Sequence, residues 1–164
     1  MRNHQLDGVS EERIQKITAN LAANNIDVIV VDDGEAARIK VLELVPEGAE
    51  VYTAKSKTLE DIGLFSDLNE SGRYDAVRPR YQKMDRATQG REIRKLMAAP
   101  DFMVGSVHAV TEDGQLVTAS YSGSQVGAYA YGAGRVILVA GSQKIVPDLE
   151  AGLARMLAVS MPYE

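Results

Sequence analysis

The amino-acid sequence predicts an α/β fold, a three-layer α/β/α domain around a mostly parallel but mixed sheet. Three observations predict it. Short β-branched runs such as "IDVIVVD" (26–32) and "RVILVAG" (135–141) alternate with longer segments of helical spacing. That alternation is the pattern of strands covered on both faces by the helices between them. Breakers fall at the joints, where Pro46-Glu47-Gly48, Pro79 and Pro100 each close an element. Finally, "TEDG" (111–114) is a tight-turn sequence between two apolar runs, so one strand is expected to run against the others.

Taken in order, residues 1–9 show no periodicity and are read as a flexible lead-in to a single domain over 10–164. Ser10 then caps a helix that sets Ile14, Ile17 and Leu21 on one face. The run 26–32 is the first strand, 33–45 a helix, and "AEVYTA" (49–54) the second strand. A helix over 56–71 starts at Ser56 or Thr58. "YDAVRP" (74–79) reads as a third strand ending at Pro79, and 85–99 as a helix. "DFMVGSVHAV" (101–110) is the fourth strand, the turn places Gly114 at positive φ, and 115–120 returns antiparallel. A small-residue helix from Val126 to Tyr131 is expected to lie on the sheet through Gly127, Ala128 and Ala130. The strand 135–141 follows, then a last helix with Pro147 near its first position. Strands 28–32, 51–54, 102–108 and 135–140 are expected to share one sheet.

Composition removes several function classes. The net charge of −5 gives no basic surface to exchange for nucleic-acid counterions. No apolar run approaches a membrane span and no signal-peptide pattern opens the chain, which leaves the cytoplasm as the default compartment. With no cysteine, disulfides, thiolate nucleophiles and iron–sulfur ligation are excluded. His4 and His108 are the only histidines, too few for a histidine-rich metal site, and a carboxylate-held Mg²⁺ has no motif. No metal and no cofactor are expected.

Ligands of open α/β sheets sit beyond the carboxyl ends of the strands, and three junctions there carry suggestive chemistry. In "TAKSKTL" (53–59), Lys55, Ser56 and Thr58 stand where a helix start would favour an anion; plain N-capping beside solvated lysines is the equal alternative. In "YSGSQVGAYAYGAG" (121–134), Gly123 lets the backbone approach a ligand, and Ser122, Ser124 and Gln125 offer neutral donors. No charged residue or histidine occurs from Gln115 to Gly134, which close packing alone would also explain. In "GSQKIV" (141–146), Gln143 and Lys144 are the first long polar side chains after a strand, and Lys144 is either a point charge for a carboxylate or phosphate or an exposed loop lysine. His108 among small apolar neighbours is more often a satisfied core residue than a general base. Glu112 and Asp113 belong to the turn before they belong to acid–base chemistry. The residues alone lead to an anion site in an α/β crevice.

The segment 105–156 resembles the lactate-utilization (LUD) domain family. The likeness is carried by "SVHAVTEDG" (106–114), "GSQ" (123–125) and "VAGSQKIVPDLE" (139–150), with a weaker upstream match in "SKTLEDIGL" (56–64). Where other members have asparagines this chain has His108, Ser124 and Gln143. Relatives run on past the position of Pro162-Tyr163-Glu164, so a short member or a missing terminal element is expected. The resemblance implies the fold of ribose-phosphate isomerases, glucosamine-phosphate deaminases and CoA transferases. It also implies a role in oxidising lactate, in some members alongside separate iron–sulfur and flavin proteins. The expected function is thus binding of a small anionic metabolite at the strand ends, in lactate or organic-acid utilization. The alternatives are a non-catalytic subunit that docks a partner oxidoreductase, or an enzyme acting on a sugar phosphate or acyl-CoA. A homo-oligomer is left open.

Overall fold

The computed structural model describes residues 9–160; residues 1–8 of the expected lead-in over 1–9 and residues 161–164 lie outside the described residues, while Val9, the last of that lead-in, is buried. The α-helices are α1 (Glu11–Ala23), α2 (Gly34–Leu44), α3 (Lys57–Asp61), α4 (Leu64–Glu70), α5 (Val77–Gln82), α6 (Gly90–Ala98) and α7 (Leu149–Arg155). The strands are β1 (Glu50–Thr53), β2 (Asp75–Ala76), β3 (Phe102–Gly105), β4 (Ala109–Thr111), β5 (Leu116–Val117), β6 (Arg135–Leu138) and β7 (Ile145–Val146). The chain divides into two compact units. The larger is Glu35–Ser106 with Ser120–Val139, and the smaller is Met1–Gly34, Val107–Ala119 and Ala140–Glu164.

The larger unit holds a parallel sheet in the order β2-β1-β3-β6. Side chains alternate across it as a pleated strand requires. Val51 and Val104 join Val41, Val45, Leu59, Leu64 and Leu68 on one face. Tyr52 and Met103 join Val77, Tyr81, Ile93 and Ala128 on the other. Helices α2, α3 and α4 therefore cover one side, and α5, α6 and the segment around Ala128 the other. This is the expected three-layer α/β/α arrangement. Each fully buried valine or leucine contributes roughly 1.5–3 kcal/mol, so the two apolar layers hold the sheet between them.

The smaller unit holds a mixed sheet in the order β5-β4-β7, with β4 antiparallel to β5 and parallel to β7. Ala109, Val117 and Val146 form its core, with Ala151 and Met156 packed on them. The turn between β4 and β5 follows the sequence: Gly114 has φ +82° and its N–H donates to the Thr111 carbonyl. Ser10 caps α1 by accepting from the Arg13 N–H at 3.3 Å.

Several elements depart from the sequence expectations, each for a local reason. The run 26–32 forms no strand, and Ile29 and Val30 are each 52% exposed. β-Branched residues favour a strand only where a ladder partner and a covering layer exist, and among the described residues no strand pairs with this run. The third expected strand shrinks to two residues, because α5 begins at Val77. Pro79 is its third residue, in the first turn, where the missing N–H has no partner to lose. The long fourth strand is two strands, β3 ending at Gly105 in the larger sheet and β4 belonging to the smaller; a run buried throughout looks the same either way. The helix expected over 56–71 breaks into α3 and α4 at Gly63, φ +76°.

The helix after Val126 is wound differently than expected, becoming π-helical over Ala128–Gly132. Its close packing is carried by Ala128 and Gly132, since a Cβ on Gly132 would fall on the Ala98 carbonyl oxygen. Gly127 has open space around it and Ala130 is exposed. Asp148, not Pro147, starts the last helix, its carboxylate accepting from the Ala151 N–H at 2.8 Å.

Candidate functional site

In the larger unit the strand ends converge on Thr53, the last residue of β1 and fully buried. Its hydroxyl lies 2.9 Å from Asn69 Nδ2, which also donates to the Phe65 carbonyl at 2.7 Å. The β1–β2 register pairs Glu50 with Asp75 and Val51 with Ala76, so continuing it would set Thr53 opposite Arg78. The backbone has turned into α5 by then, and the Arg78 side chain substitutes for the missing rung, Nη2 donating to the Thr53 carbonyl at 2.8 Å. The guanidinium carbon is 5.5 Å from the Phe65 ring centroid and 5.9 Å from those of Tyr52 and Tyr81, within cation–π range. Arg78 Nε is buried without an acceptor. Among the described residues no carboxylate pairs with this guanidinium, whereas Arg13, Arg38 and Arg80 each hold at least one.

The charge-free segment reaches the same strand ends. Ser124 shares a side-chain hydrogen bond with the Tyr52 phenol, whose pKa is pushed up by burial against the opposing pull of that bond. Tyr129 OH donates to the Ser106 carbonyl at 3.3 Å. Its ring lies over Gly105, where any Cβ would collide with the phenol, and burial pushes its pKa up to about 12. Gly123 has φ +70° and, like Ser122, is exposed. Gln125 is half-buried, and its carbonyl accepts from the Tyr129 N–H at 3.0 Å. Lys55 is exposed, Ser56 precedes α3 without capping it through its side chain, and Thr58 is half-buried. The segment is not cleared of charge for burial alone, because Tyr121 and Tyr131 are each 95% exposed.

The remaining candidates belong to the smaller unit. His108 Nδ1 accepts from the Ala119 N–H at 3.2 Å, so the neutral ring carries its proton on Nε2. The His108 carbonyl accepts from Arg155 Nη1 at 2.5 Å, and Arg155 Nε donates to the Gln143 carbonyl at 3.2 Å. Lys144 closes the 3₁₀ turn Ser142–Lys144. Burial, and secondarily the nearby Arg155, pull its pKa down to about 8. Arg155 thus draws His108, Gln143 and Lys144 into one cluster. Glu112 is engaged elsewhere: it accepts from Arg13 Nε at 2.6 Å and Lys16 Nζ at 3.1 Å, and its carbonyl accepts from Asn20 at 2.6 Å. Lys16 first and then Arg13 hold its carboxyl below the usual range. Asp113 is exposed in the turn.

Lys55, Ser56, Thr58 and Ser122–Gln125 therefore fall in the larger unit, and His108, Glu112, Asp113, Gln143 and Lys144 in the smaller. Sequence reasoning missed Arg78, Tyr52, Tyr129 and Arg155. Arg78 was concealed by the expectation of a strand through Pro79, and Arg155 had a signal only in its position at the end of the last helix. Among the described residues no three histidine, aspartate or glutamate side chains converge as metal ligands would, and no helix is long and apolar enough to cross a membrane. The model of the LUD domain family matches residues 14–163. No curated protein matches the chain.

Proposed function

The chain belongs to the LUD domain family, and from that membership we propose that it binds a small organic anion in lactate or related organic-acid utilization. The binding charge is Lys144, on the turn that follows β6. One observation carries this: Lys144 is held partly desolvated beside a second cation, Arg155, whose guanidinium ends on two carbonyl oxygens. Two neighbouring like charges in a partly buried place cost the fold free energy, and a bound anion offsets part of that cost. An anion on Lys144 relieves both the desolvation and the repulsion.

The experiment is calorimetric titration with lactate, a sugar phosphate and an acyl-CoA ester, on the parent and on Lys144→Met. Affinity for the true ligand drops by roughly 1.5–3 kcal/mol in the variant, the scale of a charge-assisted hydrogen bond. In the parent it weakens as pH rises through about 8. Equal affinity in both proteins would remove Lys144 from the site. Docking of a partner oxidoreductase is the second function favoured, through Leu149, Leu153 and Leu157. These recur every fourth residue along α7 and the π-helical turn Met156–Ser160, 43–58% exposed. Leu153→Glu then abolishes co-sedimentation with that partner while leaving anion binding intact.

A further inference from the structure

We propose that Arg78 anchors a second binding site, on the larger unit, for a small monocarboxylate. A guanidinium carries five N–H donors and no acceptor. One donor of Arg78 is used, on the Thr53 carbonyl, and Nε is buried without a partner. Nη1 makes no hydrogen bond and is not among the buried atoms. The open edge is therefore the end-on fork, Nη1 with the second proton of Nη2. That fork has the spacing of the two oxygens of a carboxylate.

The cage explains why the fork is presented and not folded away. Tyr52, Phe65 and Tyr81 surround the guanidinium, and the Thr53 bond fixes its rotation about the side-chain axis. Rings attract a cation, yet they supply no counter-charge. A partly buried cation without one is costly in a low-dielectric setting. The other described arginines with ion pairs show what this chain does for structure alone: Arg38 holds Asp67 at 2.5 Å and Arg80 holds Glu50 at 2.8 Å. Arg78 lies instead at the carboxyl end of β1, beside the edge where β2 stops, the place in a parallel sheet where ligands collect.

The charge count selects the class of ligand. One uncompensated cation among aromatic walls suits a monoanion with a planar head and an apolar remainder. A phosphate dianion needs further donors, and none of the described contacts of Arg78 brings a second cation to it. This site belongs to the larger unit, and Lys144 to the smaller.

The test follows the ¹⁵N resonances of the Arg78 guanidinium in the full chain, identified by their loss in Arg78→Lys. Sodium acetate is titrated against sodium chloride at equal ionic strength. The expected result is a saturable shift with acetate and none with chloride, retained in Lys144→Met. By thermal shift, Arg78→Lys weakens acetate at least about tenfold, since a point charge cannot reproduce the fork. An Arg78 resonance that does not respond saturably to acetate overturns the proposal, whatever the variant's stability. A response to inorganic phosphate with acetate silent overturns the assignment of a carboxylate.

Discussion

Replacing Lys144 by methionine makes the protein more stable, and the gain shrinks as pH rises. The side chain is held with its pKa lowered from 10.5 to about 8, by burial first and by Arg155 second. At about 1.4 kcal/mol per pH unit, that gap corresponds to roughly 3 kcal/mol of penalty for keeping the ammonium charged in the folded state. Solvent reaching a half-buried side chain screens part of it, so about 1–3 kcal/mol is the working range. The sign follows from proton counting. Below about 8 the lysine is protonated in both folded and unfolded chains, and the penalty is present in full. Between about 8 and 10.5 the unfolded chain binds more protons, so stability rises with pH across that window. Methionine keeps the length and apolar stem without the charge. Urea midpoints of parent and variant at pH 7 and pH 10 measure the effect. A variant less stable than the parent at pH 7, or a gap unchanged at pH 10, would refute the picture of a desolvated ammonium. Saturating anion should also close the gap at pH 7, because it stabilises only the parent.

Three further outcomes follow from packing and charge. Gly132→Ala loses several kcal/mol, since its Cβ has no space beside the Ala98 carbonyl, whereas Gly127→Ala, in open space, changes stability by no more than about 1 kcal/mol. Denaturation midpoints compare them, and equal losses would mean the helix is seated elsewhere. Gly114→Val costs a few kcal/mol, because φ is +82° and a Cβ would lie 2.8 Å from the Asn20 backbone carbon; a variant as stable as the parent would show the turn relaxing freely. Glu112→Gln flattens the acid limb of the stability curve. The carboxyl of Glu112 is held below its usual range by Lys16 and Arg13, so its contribution is present above the unfolded pKa and lost as pH falls through the folded one. Parallel acid titrations of the two proteins, followed by circular dichroism, would show whether that limb survives the substitution.

What could be seen in the sequence is what a short stretch decides for itself. Ser10 capping α1 and Gly114 turning β4 into β5 depend on residues a few places away, and both stand as expected. The failures share the opposite property. Residues 26–32 have the composition of a strand, but a strand exists only with a partner, and no described strand pairs with them. Gly127 and Gly132 look alike as small residues, and only the path of α6 makes one indispensable and the other spare. Arg78 is the extreme case. Its role depends on β2 stopping at Ala76, on the register that brings it opposite Thr53, and on rings contributed by β1, α4 and α5. None of these is a property of "VRPR" itself. Lys144 lies between the two extremes: its position after a strand marked it as a point charge, but its low pKa comes first from burial and second from Arg155, which only the return of α7 onto the smaller sheet brings near. Binding residues are harder to see than caps and turns for the same reason that they can bind. A site uses groups that the local chain leaves unsatisfied, and which groups remain unsatisfied is decided by pairings between distant segments.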